Sequence, residues 1–62
     1  MIEDLVKKRK QLKISASEMA RIIGYSAVWV YKFEHGEHRI SKDFVQKYTN
    51  TLKKYEELLN NA

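Results

Sequence analysis

The side chains with most chemistry to offer in this 62-residue chain are its cations, and five of them, Lys7, Lys8, Arg9, Lys10 and Lys13, gather near the N-terminus. A cluster of that sign attracts an anionic partner. Charge alone leaves a second reading open, a lysine-coated helix face that only keeps the chain in solution. Twelve Lys and Arg against eight Asp and Glu leave a net charge of +4. His35 and His38 invite a metal reading, but Gly36 separates them and no third ligand accompanies them, so no metal site and no cofactor are expected. The chain lacks cysteine, which removes a disulfide framework and a Cys-based zinc site as sources of stability. Sixty-two residues build one small core, too little to enclose an enzyme's pocket, so the reading is a single non-enzymatic domain over 1–62. No apolar run approaches the roughly 20 residues of a membrane span. The stretch from Met1 to Ile14 also lacks the apolar region of a secretory signal, so no membrane partner and a cytoplasmic location are expected.

The elements that must position these groups are helices. There is no proline and there are only two glycines, a composition suited to helices joined by very short turns, and it predicts an all-α fold of four or five helices. Ile2, Leu5, Val6, Arg9 and Leu12 recur at intervals of three and four, which places them on one side of a first helix running from about Ile2 to Leu12. Ser15 with Glu18 three residues later spells a capping box for a second helix, which Met19, Ala20, Ile22 and Ile23 supply with an apolar face. Gly24 then offers the left-handed exit. Ser26 stands as the N-cap of a third helix through Ala27 and Glu34, closed by Gly36. Ser41 caps the fourth, with Ile40 placed to staple against Val45. Phe44, Tyr48, Leu52, Tyr55 and Leu59 continue one stripe along it, which favours a single helix over about 42–60. Thr49, Asn50 and Thr51 are weak helix formers at which that segment could divide in two.

Residues 16–35 thus predict two short helices around a glycine-containing turn, the supersecondary unit of helix-turn-helix DNA readers. Met19, Ala20, Ile23, Gly24, Tyr25, Val30 and Phe33 together resemble the lambda-repressor-like, or Cro-type, helix-turn-helix domains of phage and bacterial regulators. Val6, Lys8, Arg9, Gln11, Leu12 and Ile14 look like the end of that family's first helix, and Glu34 with Gly36 like the close of its third, so the likeness spans nearly the whole chain. The resemblance implies that small Ala20 lets two helices approach, that Gly24 makes the turn, and that Arg9 and Glu34 form an ion pair tying the first helix to the third. It also implies a sequence-specific transcriptional regulator, a repressor, with double-stranded DNA as partner.

If the third helix enters a major groove with Val30 and Phe33 facing the core, then Ala27, Val28, Tyr31, Lys32 and His35 lie on the side that meets DNA. Lys32 can donate to guanine O6 or N7, and Ala27 and Val28 can pack on thymine methyl groups; the alternatives are that Lys32 meets only phosphate or solvent and that Ala27 and Val28 merely fill the helix. Phosphate contacts need donors beside helix N-termini, which Ser15, Ser17, Ser26, His38, Arg39, Ser41 and Lys42 provide, each serine having a capping role as well. The resemblance adds the loop His35 to Arg39 as a grip on the backbone.

The sequence departs from the family where glutamines usually stand, at Ala16 and Ala27, and its third helix is unusually apolar and aromatic through Ala27, Val28, Trp29 and Tyr31. Such a surface also suits an accessory protein, a co-repressor or antirepressor, that docks on a regulator through Trp29 and its neighbours. A blander outcome is that Trp29 and Tyr31 fold against the first or fourth helix. Tyr48, Leu52, Tyr55, Leu58 and Leu59 suggest a homodimer surface, unless Leu58 and Leu59 cap the monomer's core. Met1 and the polar ending are those expected of a whole protein.

Overall fold

A computed structural model describes residues 2–37 and 39–61. Four helices run in order α1 (Ile2–Gln11), α2 (Ala16–Ile23), α3 (Ala27–Glu34) and α4 (Lys42–Asn60), and no strand occurs among the described residues. Met19, Val30, Phe44 and Tyr48 are wholly buried, and Ile14, Ala20, Ile23, Phe33 and Leu52 complete the core around them. The α2 and α3 helices pack closely on each other, α2 also lies on α4, and α1 lies against both α3 and α4. Between α3 and α4 the contact is aromatic: Phe33 meets Phe44 and Tyr48 with ring centroids 5.3 and 4.8 Å apart.

Local chemistry accounts for the boundaries. The Ser15 hydroxyl accepts from the Glu18 amide at 3.1 Å while the Ser15 amide donates to Glu18 Oε1 at 3.0 Å, which completes the capping box expected from the sequence. Ser41 caps α4 by accepting from the Phe44 amide at 3.1 Å, and Ile40 and Val45 both lie half-buried against the core. Ser26 departs from expectation: its backbone has capping angles, but its hydroxyl makes no capping bond. Gly24, at φ +78°, turns the chain out of α2, and the Tyr25 amide donates back to the Ala20 carbonyl at 2.9 Å. The end of α1 has the same form with a lysine at the left-handed position. There Lys13 stands at φ +62°, the Lys13 amide donates to the Lys10 carbonyl and the Ile14 amide to the Arg9 carbonyl.

The fourth helix is unbroken through Thr49, Asn50 and Thr51. Thr51 Oγ1 donates to the Lys47 carbonyl at 2.8 Å, which satisfies the hydroxyl within the helix and lets the residue be buried. Tyr48 and Leu52, expected as part of a dimer surface, are 0% and 2% exposed and belong to the core of the single chain. Leu58 and Leu59 are left outside that core.

Candidate nucleic-acid interface

What α3 can touch depends on how firmly it is held, and a charged junction holds its end. Arg9 Nε and Nη2 donate to Glu34 Oε2 and Oε1 at 2.7 and 2.9 Å, a bidentate pair, and Arg9 Nη1 donates to the Ile14 carbonyl at 2.7 Å. The Tyr48 hydroxyl adds a third donor to Glu34, at 2.7 Å from Oε2. Both charged side chains are more than nine-tenths buried, so the junction replaces their lost hydration with direct partners. Burial, and then the bond to Glu34, push the Tyr48 phenol far above its ordinary pKa. The ion pair was expected from the sequence; the tyrosine was not, although a hydroxyl on a core-facing stripe signals by itself that a buried partner is needed.

A second tie sets the turn before α3. The Tyr25 hydroxyl donates to Asp43 Oδ2 at 2.6 Å, Lys47 Nζ lies 3.3 Å from the same oxygen, and the Tyr25 ring meets Phe44 edge-on. The Tyr25 bond, with help from Lys47, holds the Asp43 carboxyl below the usual carboxylate range. Trp29 leans into this aromatic group, its ring centroid 5.4 Å from Tyr25 and 6.1 Å from Phe44. It therefore divides its surface between α4 and solvent.

The opposite side of α3 is open. Val30 and Phe33 are buried at 0% and 4% exposure, whereas Val28 is 59% and Tyr31 62% exposed, and Ala27 and Lys32 are exposed beside them. Two short helices, a glycine turn, and a second helix whose inner face is buried while its outer face is bare form a helix-turn-helix. A helix-turn-helix family model, of the Cro/C1 type, matches residues 5–60. The chain belongs to the helix-turn-helix family. Proteins of this family are DNA-binding regulators, and α3 occupies the place of its recognition helix. No curated protein and no solved structure gives a significant match to this helix-turn-helix chain.

Around the recognition helix the other candidate contacts fall into separate groups. Lys32 and Arg39 line one groove of about 220 Å³ together with Trp29, Glu37 and Ile40, which brings a base-reading candidate beside a phosphate candidate. His35 stacks on Tyr31 with centroids 3.9 Å apart, and its Nδ1 donates to the Tyr31 carbonyl at 2.8 Å. Ser17, Ser26 and Lys42 are exposed at or beside the N-termini of α2, α3 and α4. Ser15 and Ser41 accept capping bonds through their oxygens, which leaves each hydroxyl proton able to donate outward. His38 lies outside the described residues. The N-terminal basic cluster is partly spent within the fold, since Arg9 is paired with Glu34 and Lys8 with Glu56 at 3.0 Å. On α4, Leu58 and Leu59 are exposed and Tyr55 half-buried; at 1.5 Å per residue they lie about 17 to 22 Å along the helix from Phe44, where Trp29 packs. Among the described residues no helix is long and apolar enough to cross a membrane.

Proposed function

We propose that this protein is a sequence-specific transcriptional repressor that inserts α3 into the major groove of its operator. The observation that carries the reading is the outward face of α3, bare at Ala27, Val28, Tyr31 and Lys32 while the helix behind it is anchored through Glu34 to α1 and α4. In this reading Lys32 reaches a guanine edge, and Ala27, Val28 and Tyr31 lie against neighbouring bases. Ser15, Ser17, Ser26, His35, His38, Arg39, Ser41 and Lys42 hold the phosphate backbone, fixing register without reading sequence. Two copies bind together through Tyr55, Leu58 and Leu59, presenting two recognition helices about 34 Å apart, one turn of DNA.

Enrichment of random duplexes on the purified protein tests the whole reading, with a palindromic site as the expected product. Affinity for that site should fall steeply as salt rises, because each neutralised phosphate releases counterions. One observation favours a second reading: the exposed face of α3 has no arginine, asparagine or glutamine and carries Val28, Tyr31 and part of Trp29 instead. A surface of that kind suits an accessory protein that docks on another regulator. No enriched duplex even at low salt would reject the repressor in favour of the accessory.

A further inference from the structure

The recognition helix is poor in the groups that usually identify a base by hydrogen bonding. Its sequence, Ala27 to Glu34, contains no arginine, asparagine or glutamine, the side chains that pair bidentately with guanine or adenine edges in the major groove. Among its exposed residues the polar side-chain groups are the Lys32 amine, the Tyr31 hydroxyl and the indole N–H of Trp29, a residue that leans toward α4. Tyr31 is restrained, because its ring is stacked on His35 and His35 is bonded back to the Tyr31 carbonyl. At the start of the helix, the end that approaches the bases in this motif, stand two exposed aliphatic side chains, Ala27 and Val28. The major groove contains one apolar group that distinguishes a base pair, the methyl on C5 of a pyrimidine.

We infer that Ala27 and Val28 are specificity-determining residues that recognise the C5-methyl group itself, accepting thymine and 5-methylcytosine alike. The inference rests on the DNA-binding reading above and adds what that reading leaves open, the chemical group by which the site is chosen. Neither side chain has a polar atom with which to tell the two pyrimidines apart, since these differ at C4 while sharing the methyl. Excluding water from a methyl against Val28 rewards the methylated base, and an unmethylated pyrimidine leaves that apolar surface wet.

The test uses the full chain and the best duplex from the selection, with affinity read by fluorescence anisotropy at one fixed salt concentration. Replacing each thymine in turn by deoxyuridine should weaken binding about fourfold at each contacted position, the factor expected for burial of one methyl-sized group. At such a position a cytosine–guanine pair should bind poorly and 5-methylcytosine–guanine should recover most of the loss. Val28→Ala, which alters an exposed side chain, should keep its circular dichroism spectrum and erase the uracil penalty at one position in each half-site. Equal affinity for thymine and uracil duplexes would overturn the inference. So would 5-methylcytosine binding no better than cytosine, or a uracil penalty undiminished in both Val28→Ala and Ala27→Ser. These results would leave DNA binding standing, whereas failure to enrich any duplex removes both readings together.

Discussion

Glu34 receives two bonds from Arg9 and one from Tyr48, so its removal strands a buried cation while its neighbours lose only one partner each. Glu34→Ala should therefore cost about 3 to 5 kcal/mol, the range for breaking a buried pair from one side. Tyr48→Phe removes one neutral donor to a charged acceptor, and about 1.5 to 3 kcal/mol is expected. Denaturant melts of the two variants check the order. The tyrosine also sets the alkaline limit: its folded pKa is raised, so the stability it adds is complete below about pH 10 and is lost as pH rises further, when only the unfolded chain readily releases the proton. Urea midpoints measured from pH 9 to 11 should fall in the wild type and fall less in Tyr48→Phe. At the interface, Lys32→Ala should weaken binding to the selected duplex while the thermal midpoint stays within a degree or two, because the side chain is exposed. An unchanged affinity would remove Lys32 from the groove. The Arg9 and Glu34 pair was legible through its resemblance to a known pattern. Tyr48 was not, because its stripe was assigned in part to a homodimer surface, where a hydroxyl needs no buried partner.

At the scale of the element, three serines that look alike in sequence should behave differently. Ser15→Ala removes a bond to the Glu18 amide and should cost about 1 kcal/mol of stability. Ser26→Ala removes no capping bond, so its thermal midpoint should barely move; any loss of DNA affinity then reports a contact with the ligand. The capping box also holds the Glu18 carboxyl below its usual pKa, first through the Ser15 amide, so its contribution is present above the carboxylate range and lost as pH falls. Most helix boundaries were legible because Ser15, Gly24, Gly36 and Ser41 carry the chemistry of starting or stopping a helix. The end of α1 fell within a residue of the expected Leu12, but the left-handed backbone that Lys13 adopts beyond it was not legible, since nothing about a lysine announces it. Lys13→Gly should relieve that strain and raise stability by about 1 kcal/mol. At Thr49, Asn50 and Thr51 propensity left a break open, and the single helix that the apolar stripe favoured is the one that forms, with Tyr48 and Leu52 packed on the core.

For the molecule as a whole, exposed apolar side chains lie on the outer sides of α2 and α3 and again at the far end of α4, where Leu58 is 60% and Leu59 62% exposed. Sedimentation equilibrium should report dimers at micromolar concentration, and the double variant Leu58→Glu, Leu59→Glu should sediment as a folded monomer. A wild-type monomer at high micromolar concentration, with and without operator, would refute the paired arrangement. The junction at Glu34 carries one more consequence, for control. Tilting the reading helix would pull a carboxylate away from donors on two other helices and leave an arginine without its counter-charge in an oily interior. Moving α3 would therefore carry the cost of an uncompensated buried charge, and covering its outward face is the less costly way to block what that face touches.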